Sequence, residues 1–301
     1  MIAERPDVVV LDPTTGWRGV AHAINKPIVT ITSSFFYTVA SPLVQAGLPS
    51  GQDLNSPQLQ RVERDLSSLQ RQLSRDHGIA PVDPDRLFTE PADVNLAASF
   101  RELQPDGTRF RRPRYLYLGP SLANRHESSL PELDRLPRPL VYAAFGSAER
   151  AGPTFLRMLV DAFGGGSWGI VASGEPPRRS PTWCVVRPTL PQLRILERAD
   201  VFVTHAGINS VLEAIACCVP MILLPRTPEQ SFVAEQVARL GAGVLRSRES
   251  ITAESLRSDA VGLVESAEIR SRLEIAHALA RSADGAEAAA GAIMALATAS
   301  R

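Results

Sequence analysis

The stretch ADVFVTHAGINSVLEAIACCVPMILLP, residues 199–225, decides the fold. It opens on VFVT, a continuous run of β-branched and aromatic residues with no polar alternation, as expected of a strand buried on both faces. Ala206-Gly207 then interrupts the run, and the glycine lets the backbone turn tightly and approach a ligand. INSVLEAIA (208–216) has helical spacing, and VPMILLP (219–225) is a second apolar run. Strand, turn, helix and strand in so short a span make a parallel βαβ unit. In open parallel sheets ligands sit outside the carboxyl ends of the strands, where helix N-termini attract anions. His205, Asn209 and Ser210 stand at that end and read as a phosphate cradle beside Gly207. Glu213 follows Asn209 by one helical turn, on the same face, where a carboxylate can accept hydrogen bonds from sugar hydroxyls.

The same alternation extends outward. PLVYAAFGS (139–147) is a strand closed by Gly146-Ser147. Residues 153–163 are helical and stop at Gly164, Gly165 and Gly166. Strands follow at 168–173 and 183–187, then a short helix at 191–198. After the third strand end, PRTPEQ (225–230) is read as a loop carrying Glu229 and Gln230, a carboxylate and an amide suited to reading hydroxyls. A helix covers 231–240, and the tail from 252 is helical. Upstream, PDVVVLD (6–12) and PIVTITS (27–33) are buried strands around a helical stretch at 16–25. An amphipathic helix is expected over 57–76, and strands at 94–99 and 114–120. This pattern predicts an α/β protein with parallel sheets in two domains facing a cleft. The expected boundaries are an N-terminal domain over 1–125, a Pro-rich linker over 126–138 and a C-terminal domain over 139–301.

Composition narrows the function. The 301 residues carry 32 basic and 32 acidic side chains, and the balance argues against a nucleic-acid binder. Lys26 is the sole lysine, so the arginine richness reflects codon usage rather than a charge device. Cys184, Cys217 and Cys218 have neither the spacing of a metal site nor the count of a disulfide framework. No apolar run has the length of a membrane helix, and MIAERPD has no signal-peptide core, so a soluble, cytoplasmic chain is expected.

TLPQLRILERADVFVTHAGINSVLEAIACCVPMILLPRTPEQ (189–230) resembles the nucleotide-sugar signature of the family 1 glycosyltransferases. These are GT-B enzymes with two Rossmann-like domains, among them bacterial macrolide glycosyltransferases and UDP-glycosyltransferases. YLGPS (117–121) and PLVYAAFGS extend the resemblance. It implies transfer of a sugar, with inversion and without a metal or other cofactor, from a UDP- or dTDP-sugar to a hydroxyl of a lipophilic small molecule. By this resemblance Gln192 lies near the nucleoside, and His205 binds the donor diphosphate with Gly207, Asn209 and Ser210 beside it. Glu213 holds the ribose, Glu229 and Gln230 read the transferred sugar, and Gly146 and Ser147 border the pyrophosphate.

There are three departures from the family pattern. Thr189 stands where an aromatic residue stacks on the base, and Cys218 where a glycine precedes Val-Pro-Met. The family's early Gly/His loop, which carries the catalytic base, has no counterpart here: the chain reads as beginning about three βα units late, each of roughly 30 residues. The N-terminal domain is accordingly expected to be incomplete. Asp12, at the first strand's end, resembles the aspartate that orients that histidine, and it is the catalytic candidate, with His22 as the other suspect. The competing expectation is an impaired homologue that serves as a nucleotide- or partner-binding module.

Overall fold

The computed structural model describes residues 6–12, 25–33, 35–36, 57–78, 92–104, 110–120, 122, 128–146, 151–177, 179–283 and 285–299. The chain forms two compact units, residues 1–119 with 283–301 and residues 120–282.

The first unit holds a parallel sheet in the order β1(Val9–Leu11), β2(Ile28–Thr32), β3(Val94–Ala97), β4(Tyr115–Tyr117). Helix α1(Pro57–His77) matches the amphipathic segment read from the sequence. One face of the sheet packs Val29, Val94, Leu96 and Leu116 against Ala289, Ala292, Ile293 and Leu296 of the last helix, α8(Gly285–Ala299). This corrects the expected domain limits: α8 closes the first unit rather than the second. Its small alanines let it lie close to the strands, a tertiary preference that chain order does not reveal. Most of the expected helix at 16–25, including Trp17 and His22, lies outside the described residues.

The second unit is a six-stranded parallel sheet in the order β10(Gly243–Leu245), β9(Met221–Leu223), β8(Val201–Thr204), β5(Leu140–Ala144), β6(Gly169–Ser173), β7(Cys184–Arg187). Every residue of β5, β6 and β8 is buried, as the uninterrupted apolar runs require. On one face Val141, Ala143, Ile170, Val201 and Val203 pack with Leu159 and Phe163 of α2(Pro153–Phe163) and Leu256, Ala260 and Leu263 of α6(Ala253–Glu265). Elsewhere in the unit α4(Ile208–Ala216) contacts α3(Gln192–Leu196), α5(Pro228–Leu240) and α7(Ala267–Arg281). The expected linker differs in the structure. Residues Pro131–Arg135 form a 3-10 helix within the second unit. Glu132 pairs with Arg187 at 2.8 Å and Asp134 with Arg198 at 2.8 Å, which ties this turn to that unit. Strand β10 also goes beyond the sequence reading, because three residues, the first of them Gly243, are too short to show a period.

Cys218 has φ 55°, in the left-handed region where side chains are strained. This is the physical reason a glycine suits the position. All three cysteines are free thiols. Burial pushes the Cys184 thiol up to about 11.

Candidate donor-binding site

The site is built on the turn from β8 to α4. Thr204 ends β8 fully buried, Ala206 takes φ 65°, and Gly207 is the N-cap of α4. No side chain caps this helix, and its first turn holds no acidic residue. The first intrahelical bond from this turn runs from Val211 N–H to Gly207 C=O at 3.0 Å. The N–H groups before it belong to the first turn, whose donors a helix cannot satisfy internally and an anion can. By contrast, α5 and α6 begin with capping boxes built on Thr227 and Thr252.

The His205 ring occupies a slot between two glycines. A β-carbon at Gly207 would lie 2.7 Å from His205 Nε2, and one at Gly146 3.0 Å from the same nitrogen. Any side chain at Gly207 would displace the imidazole, and Gly146, at φ 85°, is both sterically and conformationally a glycine position. These glycines come from different strand ends, β5 and β8, which are paired through Ala144 and Thr204.

A cavity of about 610 Å³ opens over this slot. Gly146, His205, Gly207, Asn209, Ser210, Glu229 and Gln230 line it, so seven of the residues singled out from the sequence converge. Phe145 and Arg226 line it too. The sequence reading missed both, although Phe145 adjoins Gly146 and Arg226 lies within PRTPEQ. Phe145 is packed edge-on against Phe155 and lies under the Arg248 guanidinium at 4.8 Å.

The structure corrects the reading of PRTPEQ as a loop. Pro228, Glu229 and Gln230 are the first turn of α5, with Thr227 as N-cap. Gln230 N–H donates to Thr227 Oγ1 at 3.2 Å, and Gln230 Oε1 accepts from the N–H of Arg226 at 2.9 Å and of Thr227 at 3.3 Å. The capping-box signal, Thr followed three residues later by Gln with Pro at the first helical position, was present in the sequence. Gln230 therefore stabilises the helix start with its carbonyl oxygen.

Gln192 and Glu213 form a second cluster. Gln192 Nε2 donates to Glu213 Oε2 at 2.6 Å and to Ser210 Oγ at 3.2 Å. Ser210 and Glu213 share one face of α4, three residues apart. Glu213 is 5% exposed, so this carboxylate is held in place by hydrogen bonds rather than left to solvent. Thr189 is exposed in the segment between β7 and α3. Asp12 is exposed just past β1, in the first unit. Ser147 lies outside the described residues. Among the described residues no group of three or more His, Cys, Asp and Glu side chains could hold a metal ion. Nor is any helix among them long and apolar enough to cross a membrane.

Comparison with known proteins bears out the resemblance read from residues 189–230. A family model described as UDP-glucoronosyl and UDP-glucosyl transferase matches residues 170–268. NDP-glycosyltransferase YjiC of Bacillus subtilis is 28% identical over 297 residues, covering 96% of this chain and 72% of that protein. The oleandomycin glycosyltransferase of Streptomyces antibioticus is 31% identical over 201 residues, covering 63% of this chain and 46% of that one. A crystal structure of the glycotransferase of kitacinnamycin superposes with a TM-score of 0.80 at 25% identity, covering 97% of this chain and 76% of that one. Against several further curated relatives the matched region spans only about half of their length.

Proposed function

We infer transfer of a sugar from a UDP- or dTDP-sugar to a hydroxyl of a lipophilic small molecule, on the strength of the UDP-glycosyltransferase family match over residues 170–268 and the similarity to bacterial glycosyltransferases. The observation that carries the reading is the His205 slot, an imidazole held between Gly146 and Gly207 at an uncapped helix N-terminus inside a cavity.

The donor diphosphate would sit on the first-turn N–H groups of α4, with His205, Asn209 and Ser210 around it. These donors are already in place before the reaction, so they favour the charge that grows on the leaving nucleoside diphosphate without reorganising. No metal is required for that role. Glu213, oriented by Gln192, would accept from the ribose hydroxyls. Glu229 and the NH2 of Gln230 would contact the transferred sugar. With Thr189 in place of an aromatic residue, the base loses a stacking partner, so donor affinity rests on the phosphate and ribose contacts. Transfer with inversion needs one displacement at the anomeric carbon and a group to take the acceptor's proton. Asp12 stands at the carboxyl end of β1, the end of a parallel strand where α/β sheets place their chemistry, and it is our candidate for that group. The competing reading, a nucleotide-binding module without transfer, gains no support from relatives named as glycosyltransferases.

The test is calorimetric titration of UDP, dTDP and GDP into the chain and its His205→Ala variant, followed by turnover of UDP- and dTDP-sugars with a panel of hydroxylated aglycones. Loss of the imidazole contact should weaken nucleotide binding by about 1–3 kcal/mol. Equal affinity in both proteins removes His205 from the diphosphate site. Nucleotide binding without any turnover reinstates the binding module.

A further inference from the structure

Beneath the donor site a single tyrosine hydroxyl reaches the amide that joins Ser210 to Glu213. Tyr142 lies in the middle of β5 and is 1% exposed. Its ring stacks on Phe202, its register partner in β8, with centroids 4.9 Å apart and planes 10° from parallel. Stacking and burial leave the ring one position, and from there the hydroxyl donates to Gln192 Oε1 at 3.2 Å.

Gln192 needs such support. It is the first residue of a five-residue helix whose N-cap, Pro191, makes no side-chain cap bond. A glutamine side chain has three rotatable bonds, and its terminal amide can turn over and exchange oxygen for NH2. Only one orientation points NH2 at the Glu213 carboxylate and the Ser210 hydroxyl; the reverse sets a carbonyl oxygen against a carboxylate. With Tyr142 donating to its oxygen and Glu213 accepting from its nitrogen, the amide is gripped at both ends.

We propose that Tyr142 is a positioning residue for the donor site, acting through Gln192 to hold Glu213 and Ser210 in the geometry that receives the nucleotide's ribose and diphosphate. The proposal rests on the donor-binding reading above. The Tyr142 ring is buried and its hydroxyl is bonded to Gln192, so its effect on a ligand is transmitted through that amide.

The experiment is a double-mutant cycle on the full chain, with UDP and dTDP affinity measured by calorimetry and steady-state turnover measured beside it. Tyr142→Phe keeps the stacked ring and removes one hydroxyl. It should weaken nucleotide binding about three- to tenfold, as expected for one lost hydrogen bond. The loss should fall on KM for the donor and leave kcat unchanged. Gln192→Ala should weaken binding further, and adding Tyr142→Phe to it should change nothing, because coupled residues are not additive. Unchanged affinity in Tyr142→Phe, or losses that multiply in the double variant, would overturn the proposal. A second measurement needs no variant: the Gln192 side-chain amide protons, bonded to Glu213 and Ser210, should be protected from exchange with solvent and should shift on adding UDP. Exchange as fast as that of an exposed glutamine would overturn it as well. A wild-type chain that binds neither UDP nor dTDP would defeat the donor-binding reading and this inference together, whereas binding with multiplicative losses defeats the inference alone.

Discussion

The two parallel sheets of this chain are built from similar residues and differ in how they are covered. In the second unit, β5, β6 and β8 are buried at every position. In the first, β1 alternates, with Val10 48% exposed between Val9 and Leu11, and Ile31 of β2 is 40% exposed. The donor-site candidates stand on the fully covered scaffold, where strand ends are fixed by neighbours on both sides. Asp12 follows a strand at the edge of the sheet among the described residues. The difference teaches that a fit as close as the His205 slot is built between strands packed on both faces.

The largest expected effect tests the weaker half of this contrast. Asp12→Asn should lower turnover by about 10²- to 10⁴-fold if Asp12 takes the acceptor's proton, while UDP and dTDP affinity stay at wild-type values. Undiminished turnover would remove Asp12 from catalysis and bring His22 forward.

The covered and uncovered strands should also differ in stability. Phe202→Ala, in the middle of β8 and fully buried, should cost about 3–5 kcal/mol in denaturant unfolding. Val10→Ser in β1 should cost less than about 1 kcal/mol, because half of that side chain is already in water. Similar losses from both would show that the two sheets are equally covered.

Gly207→Ala sharpens the site itself. The added β-carbon, 2.7 Å from His205 Nε2, must push the ring out of its slot. Nucleotide affinity should then fall by about 1–3 kcal/mol, as for His205→Ala, with little change in melting temperature. A combined variant no weaker than either single one would confirm that both act on one contact.

The smallest effect is a gain. Cys218→Gly relieves a left-handed residue at the turn into β9 and should stabilise the second unit by about 1 kcal/mol. A variant less stable than the parent would mean that the thiol's packing outweighs the backbone strain.

Much of the second unit was legible from residues alone. Continuous apolar runs marked β5, β6, β8 and β9, since a strand buried on both faces has no polar alternation to disguise it. The helix at Ile208–Ala216 and the cradle of His205, Gly207, Asn209 and Ser210 were legible because they are contiguous, in one strand–turn–helix. Glu229 and Gln230 line the same cavity but were set in the wrong element, although the Thr227–Gln230 capping box was there to be read.

What the sequence by itself determined is the set of local decisions: periodicity chose strand or helix, glycines chose the turns, and spacing within one helix placed Asn209 and Glu213 on a common face. What only the tertiary structure decided are the contacts between segments far apart in the chain. Tyr142 reaches Gln192 across 50 residues, and Gly146 clears space for His205 from a different strand. The last helix packs on β3 and β4 of the first sheet, although the whole second unit lies between them in the chain. None of these pairings has a period or a spacing, because they depend on which strands are neighbours in a sheet, and burial of whole apolar faces settles that order only once the chain has folded.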